Sequence, residues 1–255
     1  MFSWCRAQIK EYGGSVAARL ICRVAWSRAK TNFANRFLPQ TVECPCCGWR
    51  GRRFHDYIEA GYAVSNTMCP QCESQQRHRA FHFWLKNEFP LVEKKGVALV
   101  FAPERALASL WNSAEELRVI RVDITPERGI DLLADMTSLP IETDSIDLVW
   151  CHHVLEHIER DRAAISELCR VLRPDTGELI VSVPMELGTE TREYGFANKL
   201  ESGHWRIYGD DFADRLEESG LAVQTISYTL PSHEQAKYGV VPERFYRCRK
   251  IVRHG

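Results

Sequence analysis

No run of roughly 18 consecutive apolar residues occurs in the 255-residue chain, so no membrane-spanning helix is expected. A clean secretory leader is also missing, and export is not indicated. Charge of one sign is not in excess either: 33 Lys and Arg face 34 Asp and Glu, a formal −1. A basic surface spread over the whole protein, the footprint of nucleic-acid binding, is therefore absent. Internal repeats are not apparent. With 45% hydrophobic residues, the chain suits one large core with an appendage, and a cytoplasmic globular protein is the expectation.

What charge there is lies unevenly. Residues 1–40 hold seven Lys and Arg against one Glu, about +6, leaving about −7 for the rest. This basic segment is patterned for helix, with Val16, Leu20, Ile21 and Val24 on one face and Arg19, Arg23 and Lys30 off it. Phe2, Trp4, Trp26, Phe33 and Phe37 interleave with the cations. Such a composition suits peripheral contact with an anionic membrane or a phosphate-rich partner through residues 1–38, and equally a basic helix packed on the protein.

Cysteine is plentiful and clustered: five of ten lie between Cys44 and Cys72. Cys44-Pro-Cys46-Cys47 and Cys69-Pro-Gln-Cys72 form two C-x-x-C knuckles 21 residues apart, close to zinc-site spacing. Four thiolates from two tight turns close a tetrahedral site with no open position, so Cys44, Cys47, Cys69 and Cys72 are the expected ligands of a structural Zn2+. Cys46 is left over. Residues 41–73 then form a zinc-ribbon-like module whose core is too small to stand without metal. Residues 74–95 form a linking helix with Phe81, Leu85 and Phe89 in a stripe and Arg77, His78 and Arg79 expected in solvent.

The main body, 96–255, alternates strands and helices. Expected strands are Val97 to Phe101, Leu117 to Asp123, Ile130 to Ala134, Ile146 to Trp150 and Glu178 to Val183, with Ala222 to Leu230 and Phe245 to Val252 as a closing antiparallel pair. A polar stretch from Glu186 to Leu200 reads as a strandless lid or acceptor loop. Chemistry concentrates in IDLVWCHHVLEHI, 146–158, where an apolar strand breaks into polar residues, the place where open α/β sheets bind ligands. Taken alone, His153-Val-Leu-Glu156-His157 matches an inverted zinc-protease motif. That motif needs a long helix, whereas an apolar strand ends only three residues earlier.

In context, the 147–157 run, followed by RAAISELCRVLRP and GELIVSVP, resembles the class I S-adenosylmethionine (SAM) methyltransferases, especially the type 11 small-molecule subgroup. The resemblance covers about residues 96–252. It implies an α/β, Rossmann-like class I sheet, mostly parallel with the last strand antiparallel, preceded here by a zinc ribbon and a helical N-terminal segment. It places Asp123, with Ile124, at the cofactor ribose, Asp135 and Met136 at the adenine, and Cys151 and His152 beside the methionine part. The first cofactor loop, glycine-rich in this family, is Phe101-Ala102-Pro103-Glu104 here, similar to a zinc-ribbon-bearing bacterial subgroup. After the fourth helix Pro174-Asp-Thr-Gly177 replaces Pro-Gly-Gly, with Gly177 expected where positive φ is wanted.

Methyl transfer from a sulfonium demands positioning, and a base when the acceptor is a hydroxyl. His153 and His204 are the candidate bases, imidazole titrating near neutrality. The resemblance also offers a second reading, in which His153, Glu156, His157 and His204 imitate the divalent-metal set that some hydroxyl-modifying methyltransferases carry on an E-x-x-E-H segment and a distant residue. Arg206 and Tyr208 lie where this family builds its acceptor pocket, Arg206 suiting a carboxylate or phosphate. The expected reaction is methylation of a small molecule or glycan, at a hydroxyl oxygen by subgroup resemblance. Two alternatives stand beside it. One is an rRNA-type methyltransferase guided by the ribbon, disfavoured by the acidity of residues 41–255. The other is a non-catalytic interaction protein that lost cofactor binding with its glycines.

Overall fold

The computed structural model describes residues 9, 10 and 12–251, and Phe2 and Trp4 lie outside them. Two compact units emerge: Met1–Trp84 with Thr229–Pro242, and Leu85–Tyr228 with Glu243–Gly255. The linking helix is therefore divided between them at Trp84 and Leu85.

The first unit opens with helix α1, Gly14–Phe37, whose buried face carries Ala17, Leu20, Val24 and Thr31, while Val16, expected on the face of Leu20 and Val24, is exposed. Its polar inner residues hold the ribbon: Asn35 Oδ1 accepts from the backbone N–H groups of Arg52 and Arg53 at 2.8 and 3.0 Å. Asn32 Oδ1 lies 2.9 Å from His55 Nε2. The ribbon is two small antiparallel hairpins, β1 (Val42–Glu43) with β2 (Arg50–Gly51) and β3 (His55–Ile58) with β4 (Ala63–Met68). Its apolar centre is slight, with Val42, Cys44, Phe54 and Cys69 buried. Helix α2 spans Gln76–Asn87. Its Arg79 is wholly buried and not solvated. The guanidinium sits 4.0 Å over the Phe54 ring and donates to the carbonyls of Thr67, Ser74, Tyr238 and Gly239 at 2.7 to 2.9 Å.

The second unit is a sheet of seven strands: β5 (Gly96–Phe101), β6 (Leu117–Asp123), β7 (Leu132–Leu133), β8 (Leu148–His152), β9 (Glu178–Ser182), β12 (Leu221–Tyr228) and β13 (Glu243–Lys250). Their order across the sheet is β12-β13-β9-β8-β5-β6-β7. All pairs from β9 to β7 are parallel, and β13 runs antiparallel to both neighbours. Every residue of β8 and β9 is buried, as parallel strands covered on both faces must be. The helices are α3 (Ala108–Ser113), α4 (Asp161–Val171) and α5 (Phe212–Glu218). In α4 the buried Ala164, Ile165, Leu168 and Cys169 recur at helical spacing, and the helix stops short of Pro174.

Three expectations change. Glu186 to Leu200 is not strandless, since β10 (Arg192–Asn198) pairs antiparallel with β11 (His204–Ile207). Its residues are largely exposed, so no apolar alternation marked it as a strand. Gly177 has no positive φ. Asp175 takes the left-handed turn, at φ 62°, while Gly177 is required because a Cβ there would stand 2.6 Å from the Arg173 carbonyl. Finally, helix α6 (Ser232–Tyr238) interrupts the terminal strand pair and belongs to the first unit.

Candidate active site and metal centre

In the sheet the chain runs from β5 outward through β6 and β7, then returns to the other side of β5 with β8 and continues through β9. Such a reversal opens a crevice at the carboxyl ends of the flanking strands. Four segments meet that edge. Phe101 ends β5 and is buried, and Ala102 turns away at φ 44°, a conformation that glycine adopts freely and alanine does not. Ala102 thus holds, with its Cβ, a backbone conformation that favours glycine. Pro103 and Glu104 follow, with Glu104 Oε1 3.4 Å from His152 Nε2.

At the end of β6, Asp123 Oδ1 accepts from both the backbone and the hydroxyl of Thr125, each at 2.8 Å. Asp135 does the same with Thr137, again at 2.8 Å, and these bonds, the backbone one foremost, hold its carboxyl below the usual range. Both acids are therefore fixed in orientation by one oxygen. Ile124 is 73% exposed, a large apolar side chain presented beside Asp123, while Met136 is buried.

At the end of β8, Cys151 is fully buried and its thiol is pushed up by that burial. His152 is buried as well, hydrogen-bonded through Nδ1 to Ser182. His153 leaves the strand at φ 52° with its N–H on the Ser182 carbonyl at 2.9 Å. A non-glycine residue held there carries strain, of the kind found where a turn aims a side chain. Its Nδ1 lies 3.4 Å from Glu156 Oε1. Glu156 lies in a 3-10 turn, Leu155–His157, and is completely buried.

The β10–β11 hairpin packs on this turn and delivers His204. The His204 and His157 rings meet edge to face at 4.8 Å, and donor atoms of Glu156, His157 and His204 all lie within 4.8 Å of one another. Burial holds the His204 imidazole below its ordinary pKa, against the pull of Glu156. The structure thus brings His153, His157 and His204 around one buried carboxylate, Glu156, the four residues that the sequence groups as a possible divalent-metal set.

Arg206 and Tyr208, on and just after β11, are buried instead of open to the crevice. Arg206 Nε donates to Glu193 at 2.9 Å, and its other nitrogens bond the carbonyls of Ile158 and Glu159. The Tyr208 hydroxyl donates to Asp161 Oδ2 at 2.9 Å, as does Arg215. Alternation along the short β11 could have flagged the two as inward-facing, at positions 206 and 208. Exposed apolar residues near the site come from the hairpin and the segment before it: Leu187, Phe196 and Leu200.

The four expected cysteines converge in the ribbon, their sulfurs all within 4.8 Å of one another. Cys44 and Cys72 are 3.6 Å apart, Cys47 and Cys69 3.7 Å. With Zn–S bonds of about 2.3 Å, a tetrahedron has edges of about 3.8 Å, so the residues present fit such an ion. Cys46 is outside the quartet, 3.9 Å from the His78 carbonyl.

Residues 104–181 match the family model described as a methyltransferase domain. No curated protein matches. Among solved structures, an SAM-dependent methyltransferase from Mesorhizobium loti aligns with a TM-score of 0.50 and 16% identity, over 67% of this chain and 98% of that one. The 1,6-didemethyltoxoflavin-N1-methyltransferase of Burkholderia thailandensis aligns at 0.49 and 16% identity, over 77% and 98%. At these identities the likeness is one of fold.

Proposed function

We propose that the methyltransferase domain matched at residues 104–181 is a class I SAM-dependent one and that it methylates a small-molecule or glycan acceptor at a hydroxyl oxygen, with His204 as the base. The observation that carries the reading is the convergence of His204 and His153 on buried Glu156 at the carboxyl end of β8, beside the cofactor edge.

When bound, SAM supplies an electrophilic methyl group on its sulfonium. Asp123, through the oxygen outside its Thr125 turn, would hold the ribose hydroxyls, with the exposed Ile124 beside it. Asp135 and Met136 bound the adenine edge. Phe101 to Glu104 and Cys151 to His152 wall the methionine end, the buried His152 fixed by Glu104 and Ser182. The acceptor hydroxyl then loses its proton to His204. An imidazole with lowered pKa is neutral at pH 7 and free to accept, and the Glu156 carboxylate stabilises the imidazolium that forms. His153 orients the same carboxylate. Arg206 and Tyr208 act as positioning residues, tying the hairpin to the turn that carries Glu156. Leu187, Phe196 and Leu200 offer an apolar wall to the acceptor.

In the ribbon, Cys44, Cys47, Cys69 and Cys72 hold a structural Zn2+. A tetrathiolate zinc carries a net charge of −2, and the buried Arg79 cation, bonded to the Ser74 carbonyl behind Cys44, partly offsets it.

The decisive experiment titrates the zinc-replete protein with SAM and its demethylated product by calorimetry, then screens hydroxylated acceptors with His204→Ala alongside. Binding of both cofactor forms, with turnover abolished and affinity kept in His204→Ala, is expected. Failure to bind either form refutes the enzymatic reading. Turnover unchanged in His204→Ala refutes the base assignment.

A further inference from the structure

The outward face of α1 is unlike any ordinary solvated helix. Positions 16, 19, 23, 26, 30, 33 and 37, spaced alternately three and four apart, form one continuous line on a helix, and all seven are exposed. They read Val, Arg, Arg, Trp, Lys, Phe, Phe. Trp26 and Phe33 are each 66% exposed and Phe37 67%, so three large rings stand in water on a helix whose own buried face is already satisfied by Ala17, Leu20 and Val24. Phe33 and Phe37 pack together at 4.7 Å, and Lys30 lies 5.5 Å from the Trp26 ring centroid. The 24 residues of α1 include five Arg and Lys and no Asp or Glu.

We infer that this stripe seats the ribbon unit on an anionic lipid surface, α1 lying in the plane of the headgroups. Rings at this exposure lose water contact when sunk at the headgroup boundary, and interleaved cations reach the lipid phosphates from the same line. Charge argues against a second copy as the occupant: a symmetric pairing of two such stripes would set Arg19, Arg23 and Lys30 against one another with no carboxylate between them. Spanning is not involved, since no described helix is long and apolar enough to cross a membrane. This inference does not depend on the methyl-transfer reading.

The test uses the full-length, zinc-replete protein, co-sedimented with vesicles of phosphatidylcholine alone or with 30% phosphatidylserine. Retention on the anionic vesicles only, weakened by salt, is expected. Trp26→Ser/Phe33→Ser/Phe37→Ser should reduce retention at least tenfold, and Arg23→Glu/Lys30→Glu comparably, while zinc content and cofactor affinity stay unchanged as controls for folding. Equal retention on both vesicle types, retention indifferent to both variant sets, or no retention at all overturns the proposal. So does concentration-dependent self-association that the triple variant abolishes without vesicle binding, or RNA binding in its place.

Discussion

The two units are held together by different physics. In the sheet unit, strands such as Val149 and Val181 and helix residues such as Ile165 and Leu168 are wholly excluded from water, and the core is continuous across the sheet. In the ribbon itself the buried cluster among the described residues is Val42, Cys44, Phe54 and Cys69, two of them cysteines proposed to hold metal. Their charges differ as well: the first unit has 13 Lys and Arg against 6 Asp and Glu, the second 20 against 28. A large apolar core tolerates a functional edge of fixed acids and strained turns. A small one depends on a few strong bonds, and leaves its surface free to carry cations. The acidity of residues 41–255 therefore describes the sheet unit, not the ribbon.

The comparison is broken most severely by Cys69→Ser. Structural zinc contributes on the order of 10 kcal/mol to folding in small metal domains, so this variant should lose its zinc and the ribbon's structure while the sheet unit still melts cooperatively. Metal analysis with two-probe thermal melts checks this, and zinc retained in the variant places the metal elsewhere. The counterpart in the sheet unit is Asp161→Ala, which strands Arg215, Arg206 and the Tyr208 hydroxyl around a vacated buried carboxylate. Breaking a buried pair costs about 3 to 5 kcal/mol, and urea unfolding should show a loss of that size in the sheet unit alone.

A smaller effect is expected at the cofactor edge. Asp123→Ala removes a charged hydrogen bond worth about 1.5 to 3 kcal/mol, a loss of about ten- to a hundredfold in SAM affinity by calorimetry. Acid should then separate the units by degrees. Burial works against ionisation of Glu178, but bonds from Arg249 and Arg247, at 2.7 and 2.8 Å, overcome it and hold its carboxyl below the usual range. A carboxyl with a lowered folded pKa stabilises fully above its unfolded value of about 4.3, and that contribution disappears as pH falls through the folded value. Glu178→Gln should flatten the acid limb of sheet-unit stability measured by pH-dependent melts. Smallest of all, Ala102→Gly relieves a left-handed alanine and should stabilise by about 0.5 to 1 kcal/mol with the cofactor site intact. Destabilisation would mean that the loop uses the alanine side chain.

Much of this was legible in the linear chain. Continuous apolar runs marked β5, β8 and β9 because parallel strands are buried on both faces, and two C-x-x-C knuckles marked the cysteine quartet because tight turns set its geometry locally. The resemblance of 147–158 and its flanks identified the fold. The exposed β10–β11 hairpin was not legible, since only one residue of its two strands, Arg206, is buried and β10 shows no apolar alternation. Nor was Arg79, whose acceptors at Tyr238 and Gly239 lie about 160 residues away.

The sequence by itself therefore determined the buried strands of the sheet, where four thiolates gather, and that the polar chemistry follows β8, all local consequences of pattern and spacing. Only the tertiary structure decided that Ala102 and His153 take left-handed turns, that Arg206 and Tyr208 are structural props, and that His204 meets Glu156. Those are contacts between elements distant in sequence, and a linear pattern has no means of encoding which side chains the packed fold will bring within reach of one another.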